Sequence, residues 1–263
     1  MKIFDIDSPF MRALTKIADL MILNVTTILF CIPSLFVSYA ILMVYLDEGT
    51  ISLFVVLIAA LLSCPVGAAL TGMHYVLLKM VRDEESYIIK SFWKSFKENF
   101  KQATALWYIV LLVAFVIVGD FWFLTHAAVN MPLIYRYLLL AITIALFVFG
   151  QYIFPLQSKF VNPVRKTLKN SILMSILALP RSLAMLAISI MVLVLIYFFE
   201  GQMVPVILII GLSGPGYLKA LLYNSLFKRF EPEDDTAGLS EEEELNRAIQ
   251  RMDETDETNS NEQ

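Results

Sequence analysis

Few side chains in this sequence could do chemistry. Asp120 and Arg136 stand inside apolar runs, while His74, His126, Cys31 and Cys64 stand within such runs or at their ends. An ionisable group in a membrane span costs about 2.5–3.5 kcal/mol when central, so each one is a candidate site. Asp120 lies near the end of the third apolar run and Arg136 near the start of the fourth, so a hairpin between them would bring the two together. Three roles are open to this pair: a structural ion pair, snorkelling to the interface, or contact with a solute. His74 lies near the inner end of its run and His126 just past the outer end of its own, so they face opposite compartments, and neither has a Cys or carboxylate cluster at metal-ligand spacing. No H-E-x-x-H, Ser-His, paired-Asp, Walker or dinucleotide motif is present. The two cysteines read as small buried hydrophobes rather than a disulfide. The expectation is a protein that is not an enzyme, with no catalytic, cofactor-binding or metal residues and no nucleic-acid partner.

Helix breakers are more informative. Pro33 and Pro65 fall inside apolar runs, where each frees a backbone carbonyl that another group must satisfy. Ser34, Ser38, Ser63 and Thr71 are near enough to do so. Gly211 and the run Ser213-Gly214-Pro215-Gly216 predict a kink or unwound stretch in the last apolar segment. Broken helices can line a solute cavity, in which case Asn24, Pro33, Pro65, His74, Gln151, Gly214 and Pro215 are its candidate lining. They can equally be close-packing points, as can the small-residue row Gly67, Ala68, Gly72.

The elements that must hold these residues are helices in a membrane. Hydrophobic residues make up 58% of the chain and charged ones 17%, against about 25% charged in a soluble domain. A helix of about 20 apolar residues spans a bilayer because it satisfies its own backbone groups. Six such runs occur, at residues 20–46, 51–80, 103–125, 133–156, 180–199 and 204–223. The first two, joined through Asp47-Glu48-Gly49-Thr50, must form a hairpin. The N-terminal residues lack the pattern of a cleaved signal peptide, so the first run should be retained. Lys and Arg resist translocation in short loops. Of the 20 bases, only Arg136 falls on the side opposite the rest. The fold class expected is therefore all-α: a polytopic membrane protein with six transmembrane helices in residues 1–230, in the plasma membrane, both termini cytoplasmic.

The basic segments carry structure of their own. Ile89, Phe92, Trp93, Phe96 and Phe100 share an arc of roughly 100°, beside Lys90, Lys94, Lys97 and Lys101. This pattern predicts an amphipathic cytoplasmic helix lying in the headgroup layer, under the bundle, or against a partner. Each lysine would gain about 1 kcal/mol from anionic lipid. In the next basic segment, Asn162 suits an N-cap and Pro163 the first helical position, ahead of Val164, Leu168 and Ile172. Span, basic helix, span thus occurs twice, as in a weak internal repeat. Ser8-Pro9 offers similar cap chemistry ahead of Phe10, Leu14 and Ile17.

Residues 231–263 form an acidic, mostly disordered tail, too polar to bury a core. Of the 24 acids in the chain, 13 lie after Lys228. Ser240 and Glu243 form a capping box before Leu245, Ile249 and Met252, a short helix that folds on a partner or frays.

Ala18-Asp19-Leu20 through Asn24, Cys31-Ile32-Pro33, Gly67-Ala68, Tyr75 through Lys79, Arg82 through Glu85, and Phe92-Trp93-Lys94-Ser95-Phe96 through Ala103 resemble the YesL family of Gram-positive membrane proteins. The likeness is specific over residues 8–107 and weaker but collinear through the sixth run. The acidic 47–50 segment and the long tail depart from it. The resemblance implies a plasma-membrane location and company with carbohydrate-uptake systems of the ABC type, with no catalytic residues to carry over. The permease coupling motif E-A-A with its glycine is absent, so the chain is expected to be an accessory or regulatory partner of transporter subunits, not the permease. The alternative is a small-solute transporter or channel formed by the six spans. Neither substrate nor oligomeric state is legible.

Overall fold

The computed structural model describes residues 8–49, 52–84, 87–126 and 132–231. Among these the regular structure is helical: α1 (Pro9–Glu48), α2 (Leu53–Leu62), α3 (Cys64–Val81), α4 (Ile88–His126), α5 (Leu133–Gly150), α6 (Ile153–Lys159), α7 (Val164–Leu177), α8 (Leu179–Phe199), α9 (Val204–Ile210) and α10 (Ser213–Phe227). A single 3-10 turn, Glu200–Met203, joins α8 to α9. The expected capping box and short helix of the tail lie outside the described residues, as does the remainder of the chain after Glu231. Leu226 to Glu231, which belong to a second compact unit, close the last described turn with backbone bonds from Arg229 to Leu226 and from Glu231 to Phe227.

Five stretches are long and apolar enough to cross a bilayer: Pro9–Asp47, Leu53–Val81, Ile88–His126, Leu133–Lys159 and Leu179–Phe199. The pair Val204–Ile210 and Ser213–Phe227, bent by 48°, makes a sixth if taken as one span. The six expected runs correspond to these helices, the second from Leu53 onward, and two of the helices extend well beyond their runs. At 40 and 39 residues, α1 and α4 are each about 60 Å long at 1.5 Å per residue. A bilayer core is about 30 Å thick. Ser8 caps α1 as its sequence suggests, its side chain accepting from the Met11 N–H with Pro9 in the first turn. Gly49 closes the same helix at φ 69°, a left-handed conformation that suits glycine, and its N–H bonds to the Tyr45 carbonyl.

Prolines decide where the other spans break. Pro65, Pro155, Pro180 and Pro215 each follow a helix break by a few residues, at Ser63, Gln151–Tyr152, Ala178 and Gly211–Leu212 respectively. Each lacks the N–H that would bond four residues back, and its ring crowds that carbonyl. Pro33 is the exception and sits within the unbroken α1. No proline occurs between Ile88 and His126, which corrects the expectation of a separate helix over the first aromatic–lysine segment. That segment is the first part of α4, collinear with the span that follows it. The second basic segment is a helix of its own, α7, divided from α8 at Ala178. Its N-cap is Pro163 rather than Asn162, without a side-chain cap, because Pro163 is held extended at ψ 154°.

The breaks also divide buried from exposed structure. α2 has no buried residue, whereas α3, just past the break, buries eleven along its length. α5 buries only Val148, whereas α6 buries Ile153 to Ser158. In α4 every buried residue lies at or before Leu106. The core therefore sits at the end of the bundle where the bases gather. There Leu106, Ile153 and Phe154 pack with Leu70, Trp107, Val110, Val164 and Leu168. The far half is exposed and almost wholly apolar.

Candidate functional site at the basic end

The aromatic stripe of α4 divides between two uses. Phe92 and Phe96 are buried, with Phe30 of α1 stacked 5.7 Å from Phe92 and tilted against Phe96 at 4.7 Å, centre to centre. Gly72 makes this possible, since a Cβ there would come within 3.1 Å of Phe92. At Gly67 a Cβ would run into the Ala103 carbonyl and lie 2.7 Å from the Trp107 Cβ. The glycines of α3 thus serve close packing. Ile89 and Trp93 remain exposed beside Tyr87, as do Lys90, Lys94, Lys97 and Lys101. Phe100 is half-buried and meets Phe96 at 5.5 Å. Lys97 lies over the Trp93 ring, 4.8 Å from its centre.

The residues expected to line one cavity are dispersed. Asn24 is fully buried and every valence of its amide is in use. Its Nδ2 donates to the carbonyls of Ile207 (3.0 Å) and Leu208 (2.8 Å), and its Oδ1 accepts from the N–H groups of Leu212 (2.8 Å) and Ser213 (3.0 Å). The Leu208 carbonyl and the Leu212 and Ser213 N–H groups lie at the break between α9 and α10, while the Ile207 carbonyl also keeps its helical bond from Gly211, so Asn24 pins the broken helix rather than facing a cavity. The Ser213 hydroxyl adds a bond back to the Leu20 carbonyl. Gly214 and Pro215 follow in the first turn of α10. His74 lies with its Nδ1 3.2 Å from the Tyr223 hydroxyl. Pro33 is exposed on α1. Gln151 sits at the α5–α6 break, where its Oε1 accepts from Ser189 at 3.4 Å and its buried Nε2 has no partner.

Pro65 lies just past the Ser63 break, which α4 seals. Trp107 Nε1 donates to Ser63 Oγ (3.0 Å), Thr104 to the Cys64 carbonyl (3.1 Å) and the Tyr108 hydroxyl to the Ala60 carbonyl (3.2 Å). Ser63 was expected to help here, and its hydroxyl does bond the Ala60 carbonyl at 2.7 Å. At the other breaks Ser171 donates to the Phe149 carbonyl. Ser182 donates to the carbonyls of Ser175 and Ala178 and meets the Tyr152 hydroxyl at 3.0 Å.

Asp120 and Arg136 do not pair. Each is exposed on its own helix, α4 or α5. An ion pair does join Lys16 Nζ to Asp83 Oδ1 at 2.7 Å, tying α1 to the turn after α3. Hydrogen bonding from Lys16, and then its charge, hold the Asp83 carboxyl below the ordinary carboxylate range. Nearby, Arg82 Nε donates to Asn224 Oδ1 at 2.9 Å. His126, at the far end of α4, stacks on Trp122 with ring centres 4.8 Å apart.

One residue that sequence reasoning passed over organises the basic end. Gln157 of α6 is buried, and its Nε2 donates to Asn99 Oδ1 (3.1 Å) and Gln102 Oε1 (2.6 Å) while its Oε1 accepts from Thr167 (3.0 Å). Three helices, α4, α6 and α7, meet on that amide. The available signal was an amide in an otherwise apolar run, Phe154-Pro155-Leu156-Gln157. Two grooves flank this region. One, of about 630 Å³, is apolar and lined by Ile22, Tyr87, Ile88, Ile89, Lys90 and Trp93. The other, of about 840 Å³, runs between α3, α4 and α6 past Tyr75, Lys97, Lys101, Gln102, Gln157 and Lys159.

These features define an all-helical protein with the long apolar helices of a membrane protein and a packed, polar-networked basic end. Residues 20–121 match the model of a family described as a protein of unknown function, DUF624. The matched stretch runs from the first turns before Asn24, through the sealed Ser63 break, into the apolar half of α4, and overlaps most of the YesL-like stretch. No curated protein and no solved structure matches the chain.

Proposed function

We propose that this chain is a six-span plasma-membrane protein with both termini in the cytoplasm. Its role is that of a non-enzymatic accessory partner of a carbohydrate ABC-type uptake system. The orientation rests on the near-complete segregation of Lys and Arg to one end of the bundle. The observation that carries the partner role is the face of α4 left outside after Phe92 and Phe96 enter the core. Tyr87, Ile89 and Trp93 stay exposed there, edged by Lys90 and Lys94, and form an apolar groove with Ile22 of α1. Exposed aromatics rimmed by cations are the composition of a protein-recognition surface. The uptake system itself comes from the family resemblance.

Transport by the spans themselves is the weaker reading. The broken helices that would line a path have polar groups at their breaks bonded by Asn24, Trp107, Thr104 and Ser182. A photo-crosslinking residue at position 89 or 93, used in native membranes, should capture a transporter subunit. The same probe at exposed Leu138 of α5 should not. Capture of lipid alone from both faces, with no transport subunit recovered in gentle detergent, overturns the partner role.

A further inference from the structure

We propose that the groove between α3, α4 and α6 is a binding site for a phosphate ester. Its walls carry Lys97 and Lys101 of α4 and Lys159 at the end of α6, against one acid, Glu98. Charge alone would make this only a basic patch, but the floor is built. Gln157 is 2% exposed and locks Asn99, Gln102 and Thr167 into fixed positions, so the wall is rigid before any ligand arrives. Gln102 lines the groove, and its amide accepts from Gln157 through its oxygen, which leaves its N–H groups without a partner among the described residues. Ammonium groups beside a preset amide donor suit a tetrahedral oxyanion, whose oxygens accept several hydrogen bonds at once. Tyr75, Phe100 and Phe160 supply apolar surface for the carbon skeleton attached to the phosphate. Its volume of about 840 Å³ exceeds what a bare phosphate needs and falls within the range of small-molecule sites.

The phosphate ester could reach this groove on a lipid headgroup or as a soluble metabolite. Purified full-length protein tests both by its unfolding midpoint in phosphatidylcholine micelles. One titration adds phosphatidylglycerol, a second glycerol phosphate, a third more phosphatidylcholine. A saturable rise with phosphatidylglycerol supports a headgroup site, and one with glycerol phosphate alone supports the soluble source. Half-saturation should weaken roughly fivefold for each lysine removed and about a hundredfold in K97Q/K101Q/K159Q. Lysines 166 and 169, exposed on α7 and outside the groove, provide the control K166Q/K169Q, which should titrate like the parent. If the triple variant does not fold, K101Q alone carries the test, since Lys101 is exposed and its fivefold loss is measurable. No anion-specific rise in the parent overturns the proposal, as does equal weakening in K166Q/K169Q and K97Q/K101Q/K159Q.

Discussion

The two halves of this bundle are built from the same helices but held by different physics. On the basic side of the breaks, α3 and α6 are buried along most of their length and joined to α4 by glycine contacts and amide bonds. Beyond the breaks, α2 and α9 bury nothing and the apolar part of α4 buries none of its span window. A surface of that kind is at ease in lipid, where apolar side chains gain little by meeting each other. Specific packing therefore concentrates where the helices leave the apolar zone.

This contrast predicts a steep gradient in mutational cost. Asn24→Leu should have the largest effect, about 2–4 kcal/mol, because it strands the Leu208 carbonyl and the Leu212 and Ser213 N–H groups at the break between α9 and α10. Reversible unfolding in mixed micelles would measure it, and a loss below 1 kcal/mol would show that the broken span has another support. Gly67→Ala should cost about 1–3 kcal/mol in the same assay, since the added methyl meets backbone at Ala103 rather than a flexible side chain. By contrast, Leu57→Ala and Leu138→Ala, both exposed beyond the breaks, should each fall within about 0.5 kcal/mol in a bilayer. A large loss at either would mean that a second chain covers that half. The smallest effect should come from Asp83→Asn, visible only as a pH dependence. Because Lys16 lowers the Asp83 pKa, the pair stabilises above the ordinary carboxylate range and its contribution is lost as pH falls through the folded pKa. Unfolding midpoints of parent and variant should therefore differ at neutral pH and converge in acid.

Much of the frame was legible beforehand, for reasons that particular residues make plain. The Ser8-Pro9 start of α1 and the kink near Gly211 are local: a cap and a proline act within one turn. The joining of the first amphipathic segment to the third span was less legible, because amphipathic periodicity alone does not say where a helix stops. The absence of proline between Ile88 and His126 was the cue. The Asp120–Arg136 ion pair, one of three readings open to those residues, does not form: sequence placed both near one hairpin but did not fix how closely their side chains approach.

What the sequence determined by itself is set by nearest-neighbour chemistry and composition. It comprises runs long and apolar enough for six spans, bases gathered at one end, and prolines that cannot continue a helical ladder. What only the tertiary structure decided is which groups repair those ladders and which aromatics turn inward. Asn24 meets Leu212 across 188 residues of chain, and Phe92 rather than Trp93 enters the core because Gly72 faces it. A broken hydrogen bond states that a partner is needed, but the identity of that partner depends on how distant helices are rotated and stacked, which no local pattern encodes.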